Sequence, residues 1–264
     1  MVAMLPAERR SALLDHVATH GSARVVDLAS ALGVSRMTVR RDIDELAEQG
    51  LLLKVHGGAM AIDGDTSRPA ATGWAAQEAE KEAIARAAAS LVEPGMSVGL
   101  SGGSTAWHVA HRLRTIPDVT VVTNSLPVAE LFDDEALVVE ARSAHVVLTG
   151  GVRTPARALV GPVAVRTLEV LHCDVVFVGV HGLDPRAGLT TPNLLEAETN
   201  RALLAAGERA VVVADHSKWH TVSLTTVADL DAADVVISDA GLAPEAVAEI
   251  EQHGPEVVVA PPPE

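Results

Sequence analysis

The chain has 264 residues, a formal net charge of −15, one cysteine and no tyrosine. A single cysteine excludes an internal disulfide, and no stretch approaches the ~18 uninterrupted apolar residues that a membrane span requires. The opening Met1 to Pro6 lacks the basic and apolar regions of a signal peptide, so a cytoplasmic protein is expected. The charge is uneven: residues 1–60 hold seven Lys/Arg and seven Asp/Glu, so the excess acid falls on residues 61–264, where 13 bases face 28 acids.

Glu8 to His20 reads as a first helix with Leu13, Leu14 and Val17 inward and Gly21 as its left-handed stop. Val25 to Leu32 is a second helix, ended by Gly33. Ser35 then caps a third helix, in which Val39, Ile43 and Leu46 recur at i, i+4 and i+7 and face a core. Met37 and Arg41 point the other way. Three arginines and no acid occupy 35–41, followed by Asp42, Asp44, Glu45 and Glu48. That order opposes the helix dipole. A sequence that tolerates it keeps cations at the leading end, where phosphates and base edges would lie. Helix, glycine turn and helix make a helix-turn-helix. The run Leu51 to Ala59 reads as a β-ribbon, a wing with Lys54 and His56 near the sugar-phosphate backbone. The candidate DNA contacts are Ser35, Arg36, Met37, Thr38, Arg40, Arg41, Lys54 and His56. An acidic body behind a small cationic tip predicts weak non-specific binding and reliance on two or more copies, hence a homo-oligomer.

Residues 60–75, rich in Gly, Pro and small polar residues, read as a linker between a head at 1–59 and a second domain at 76–264. Helices are expected at Gln77 to Val92, Thr105 to Arg114, Pro162 to Leu171, Asn193 to Ala206 and Ala243 to His253. Strand-like runs fall at Ser97 to Leu100, Val119 to Thr123, Ala136 to Glu140, Val146 to Thr149, Val175 to Val180, Ala210 to Ala214, Val235 to Ser238 and Glu256 to Ala260. This alternation predicts an α/β fold with a mainly parallel sheet covered on both faces. Cys173, before an apolar run, reads as a packed small side chain.

Ligands in such folds bind outside the carboxyl ends of the strands. The clearest site follows the first strand, at Ser101, Gly102, Gly103, Ser104 and Thr105. Two glycines admit close backbone approach, and the helix beginning there aims N–H groups at an anion. Other strand ends supply Asn124 and Ser125, Gly151 and Arg153, Glu196, and Asp215 and Lys218. Together they suit a polyhydroxylated, phosphorylated molecule. Trp219 could cover a sugar ring or serve equally as core or lid. His216 and His220 are four apart but no carboxylate cluster is arranged around them, so neither a metal nor a cofactor is expected.

Leu32-Gly33-Val34-Ser35, Thr38-Val39-Arg40-Arg41-Asp42 and His56-Gly57-Gly58-Ala59 resemble the winged helix-turn-helix of DeoR-family transcriptional regulators. Ser101 to Thr105, Thr123-Asn124-Ser125, Gly188-Leu189-Thr190, Glu196-Ala197 and Asp215 to Lys218 resemble that family's effector domain, whose fold is similar to that of ribose-5-phosphate isomerase. Ser101 stands where the family usually has Asp, and Asn200 where Lys usually precedes Arg201. The resemblance implies a repressor of sugar metabolism genes that binds double-stranded operator DNA and answers to a phosphorylated sugar. The competing expectation is a sugar-phosphate isomerase or deaminase with an accessory DNA-binding domain, using Glu196, Asp215 and Lys218.

Overall fold

The computed structural model describes residues 6–20, 22–48, 52–55, 57–61, 77–133 and 144–262, which fall into two compact units, Met1–Ala76 and Gln77–Glu264. His56, most of the expected linker and the run Ala136 to Glu140 lie outside the described residues.

The first unit contains α1 (Pro6–His20), β1 (Ser22–Arg24), α2 (Val25–Leu32), α3 (Arg36–Glu48), β2 (Leu52–Val55) and β3 (Gly58–Ala61). The apolar spacing read from the sequence becomes its core: Leu13, Val17, Leu28, Val39, Ile43 and Leu46 pack together with Leu52. Gly33 ends α2 in the left-handed conformation, φ 64°, which glycine adopts without strain. Two differences concern the wing. It has three antiparallel strands in the order β1-β3-β2 rather than two, because Ser22–Arg24 pairs with β3. Strand β3 also runs to Ala61, into the segment expected as linker, since Met60 and Ala61 pair with Leu53 and Leu52.

The second unit contains α4 (Glu78–Ala89), β4 (Ser97–Leu100), α5 (Ser104–Leu113), β5 (Thr120–Thr123), α6 (Leu126–Glu130), β6 (His145–Leu148), β7 (Val152–Arg153) and β8 (Leu159–Val160). It continues with α7 (Pro162–Leu168), β9 (Cys173–Gly179), β10 (Gly182–Asp184), β11 (Gly188–Thr191), α8 (Leu194–Ala205), β12 (Gly207–Val213), β13 (Thr225–Ala228), β14 (Val235–Asp239), α9 (Pro244–Gln252) and β15 (Glu256–Ala260). Seven parallel strands form one sheet in the order β15-β14-β12-β9-β4-β5-β6. Unbroken apolar runs form these strands because both faces are covered. Val175, Phe177, Val211 and Val213 pack on one side with Ile84, Val109 and Leu113, and Val176, Val178 and Val212 on the other with Leu168, Leu203 and Ile250.

From β4 the chain moves outward in one direction through β5 and β6. It then returns beside β4 as β9 and moves outward the other way through β12, β14 and β15. The order therefore reverses between β4 and β9, and there the loops above the strands diverge and leave a crevice. A small antiparallel sheet, β10-β11-β13, and the hairpin β7-β8 were not anticipated from the sequence. Their strands are two to four residues long, with Pro155 and Pro185 in the turns between them, too short for a period-2 pattern to show. The small sheet is fixed from outside: Arg201 on α8 donates from Nε to the Val227 carbonyl at 2.8 Å and from Nη2 to that of Thr226 at 3.1 Å. Gly188, φ 69°, turns where an added Cβ would come within 2.3 Å of the Ala228 oxygen.

Candidate functional site

On the first unit, Ser35 caps α3: its Oγ accepts the Thr38 N–H at 3.1 Å and lies 2.9 Å from Thr38 Oγ1. The acids that follow are held by bases from neighbouring elements. Asp42, 4% exposed, takes a bidentate pair of bonds from Arg9 on α1, at 2.6 and 3.0 Å; Glu45 pairs with Arg10, and Asp44 with Lys54 on the wing. These pairs orient α3 against α1 and β2 and offset its reversed charge order. Arg36, Arg40 and Arg41 are all exposed, and among the described residues none of them has an ion-pair partner. The sequence placed Lys54 on the DNA backbone, whereas here its ammonium pairs with Asp44 and ties the wing to α3.

On the second unit, the switch point between β4 and β9 is bridged by Ser101. This residue is fully buried; its Oγ accepts the Gly179 N–H at 2.9 Å and donates to the Gly102 carbonyl at 3.0 Å. Ser101 thus anchors the glycine loop from below, and its hydroxyl is not presented to a ligand. Asn124 is likewise spent on scaffolding. Its Oδ1 accepts the Gly102 N–H at 3.1 Å and its Nδ2 donates to the Leu159 carbonyl at 3.1 Å, joining the loops after β4 and β5 to β8. Ser125 caps α6 by accepting from the Val128 N–H at 3.3 Å. Gly151, φ 121°, passes so close to β8 that a Cβ would fall 2.6 Å from the Val160 oxygen. These residues shape the rim rather than face the crevice. Arg153, on β7, is exposed.

The donors left for an anion are the amides of Gly103, Ser104 and Thr105 in the first turn of α5, which no intrahelical carbonyl can satisfy. The Thr105 hydroxyl joins them; the residue is 8% exposed and, among the described residues, its side chain has no hydrogen-bond partner. A second cluster gathers at the ends of β9, β11 and β12. Asp215, buried, accepts from the Ser217 N–H at 3.1 Å and neighbours both Lys81 and Lys218. Thr191 Oγ1 lies 3.4 Å from His181 Nδ1 and 3.4 Å from Glu196 Oε2, and Glu196 also bonds Thr154 of the β7-β8 hairpin. Burial raises the Glu196 carboxyl above its ordinary value, against the pull of the two threonines. Crowding by the protein, with Lys218 nearby, lowers His181 to about 4, although the residue keeps an open face to solvent.

Lys81 was missed by sequence reading. It is 3% exposed on α4, with Asp215, Lys218 and His108 among its charged or polar neighbours. Burial pulls its ammonium below the ordinary value, and Asp215 opposes that shift. The signal was present: Lys81 precedes Ile84 by three residues and Ala88 by seven, which puts a cation on the apolar stripe of the helix.

The two histidines weighed as metal ligands go to different partners. His216 Nδ1 lies 2.8 Å from Asp239 Oδ2, while His220 Nδ1 is 3.7 Å from Asp184. Burial opposes ionisation of Asp239, but N–H groups of His216 and Gly241 and the His216 ring hold its carboxyl below the usual range. Trp219 packs against the core beside β10. Cys173 is buried and its thiol is pushed up to about 11. Two surface hollows of about 250 and 300 Å³, one beside Arg186 and Asp231 and one beside Cys173 and Glu208, do not include the strand-end groups.

A winged helix-turn-helix with an exposed cationic leading edge, carried on a chain whose second unit gathers anion donors at a sheet switch point, defines a DNA-binding regulator. Residues 9–64 match the DeoR-like helix-turn-helix domain and residues 76–240 the DeoR C terminal sensor domain, so the chain belongs to the DeoR family of transcriptional regulators. It is 32% identical over 256 residues to a putative aga operon transcriptional repressor of Escherichia coli O157:H7, covering 96% of this chain and 93% of that one. It is 29% identical over 238 residues to the glycerol-3-phosphate regulon repressor of Escherichia coli K12, covering 90% and 92%. Among solved structures, a ribose 5-phosphate isomerase A from Methanocaldococcus jannaschii is 19% identical over 55% of each chain with a TM-score of 0.39, a likeness too distant to bear on activity. Among the described residues no helix is long and apolar enough to cross a membrane.

Proposed function

We propose that the first unit binds double-stranded operator DNA in the cytoplasm through the leading turns of α3, and that the second binds a phosphorylated sugar and holds the homo-oligomer together. Arg36, Arg40, Arg41 and Met37 enter the major groove, with Ser35 and Thr38 at its edge. Lys54 and His56 serve the flanking backbone, Lys54 by exchanging Asp44 for phosphate. The observation that carries the effector reading is the set of unsatisfied first-turn amides and the Thr105 hydroxyl of α5 at the switch point, with Lys81 and Lys218 gathered around Asp215 at the end of a nearby strand of the same sheet. Phosphate sits against the amides and Gly102–Gly103, and Glu196, His181 and Thr191 meet the sugar hydroxyls. Arg153 closes over the anion from β7.

The relatives' names connect them to an aga operon and to glycerol-3-phosphate. This chain represses a related class of genes, and effector binding shifts the arrangement of paired heads. A coupling of ~1–3 kcal/mol makes a useful switch. Selection of bound sequences from a random DNA pool, followed by titration of the complex with pentose, hexose and triol phosphates, tests both halves. A selected duplex released or tightened by one phosphate ester supports the proposal; indifference to the whole panel removes the effector reading. Glu196, whose carboxyl is raised by burial beside Thr191, together with Asp215 and Lys218, is what suits an isomerase or deaminase. Turnover of a sugar phosphate that Glu196→Gln abolishes would move the function there.

A further inference from the structure

Among the described residues, the reading face exposes one large apolar side chain. Met37, the second residue of α3, is 66% exposed. At about 100° per residue, Met37 and Arg41 straddle the direction pointing straight away from buried Val39. The thioether therefore stands at the outer pole of the helix, among the exposed guanidinium groups of Arg36, Arg40 and Arg41. Among the described residues of this unit, Val26 is the other strongly exposed large apolar side chain, and it lies on α2.

Guanidinium groups serve phosphates and guanine edges and offer an apolar surface little contact. In the major groove the apolar feature of a base pair is the C5-methyl of thymine. Residues in the first turns of a groove-entering helix are the ones that reach base edges. Met37 is placed there, and its unbranched, polarisable side chain can settle on a methyl group without demanding one fixed rotamer.

We propose that Met37 determines sequence specificity by packing on the C5-methyl group of one thymine in each half-site. This rests on α3 being the groove-entering helix and goes further by assigning one base preference to one side chain. The test uses the full chain and a duplex selected from a random pool. Single thymines are replaced by deoxyuridine, which removes the methyl group and leaves the pairing edge unchanged. The wild-type protein will lose about fourfold in affinity at one thymine per half-site, the factor for one buried methyl group. Met37→Ala and Met37→Gln will bind the thymine and deoxyuridine duplexes equally, while Met37→Leu keeps the difference. Thermal midpoints equal to wild type will show that the variants fold, as expected for a side chain this exposed. The assignment is overturned if no thymine shows the effect, if Met37→Ala keeps it, or if Met37→Ala weakens every duplex alike. Failure to select any duplex would refute the DNA-reading head itself, and this inference with it.

Discussion

Asn124 offers the sharpest test of how the effector site is held. Its amide is 2% exposed and makes two bonds of 3.1 Å, accepting from the Gly102 N–H and donating to the Leu159 carbonyl. Replacement by Ala leaves both backbone groups without a partner, and each such loss costs about 1–3 kcal/mol. Gly102 and Leu159 are themselves only half-buried, so water can reach them and the lower part of that range applies. The expected loss is about 2–3 kcal/mol, equivalent to a fall of about 4–12 °C in the midpoint of a unit this size. Asn124→Asp keeps the acceptor for Gly102 and loses the donor to Leu159, so it should fall between the two. Urea unfolding followed by circular dichroism, with phosphate-ester binding measured on the folded variants, reads both consequences. The glycine loop keeps Ser101 but loses its tether to Asn124 in Asn124→Ala, and affinity for the ester should drop with stability. A variant within about 0.5 kcal/mol of wild type would refute the view that this side chain braces the loop.

Three further outcomes follow from the same geometry. Arg9→Ala leaves the buried Asp42 carboxylate without its bidentate partner, and should destabilise the first unit by about 3 kcal/mol; Arg9→Met with Asp42→Leu should recover most of it, measured by thermal denaturation. Burial raises the Glu196 carboxyl, so the folded state holds that proton more tightly than the unfolded chain, whose carboxyl titrates near 4.5. The contribution of Glu196 to stability should therefore fall as pH rises from 4.5 through the higher folded value, while His181 and His108, held below their ordinary values, contribute in the opposite sense. Between pH 4 and pH 7 the denaturant midpoint of Glu196→Gln should therefore change more favourably than that of wild type; equal changes would refute the raised carboxyl. Arg41→Ala should cost ~1–3 kcal/mol and relax preference at one base pair if it reads guanine. An equal loss on all duplexes with a shallower salt dependence would make it a phosphate contact instead.

The helices of the head, the glycine stop of α2 and the cationic edge of α3 were legible in the sequence, because each depends on neighbours within one or two turns; Gly21 lies outside the described residues. The strands of the parallel sheet were legible for the same reason, being continuous apolar runs. The glycine loop at 101–105 also stood out, but the roles of the polar residues around it did not. Asn124 and Ser101 looked like ligand contacts because they end strands; their hydrogen bonds run instead to Leu159 and Gly179, far away in the chain.

Periodicity along the chain settled what this protein is built from, since helix and strand patterns report only which way neighbouring side chains face. The folded arrangement alone decided which polar groups brace one another and which remain available. Lys81 meets Asp215 and Lys218, and Lys54 meets Asp44, only after strands and helices pack. A charge's partner is set by distance in space, and the order of residues leaves that distance open until the sheet has closed over its core.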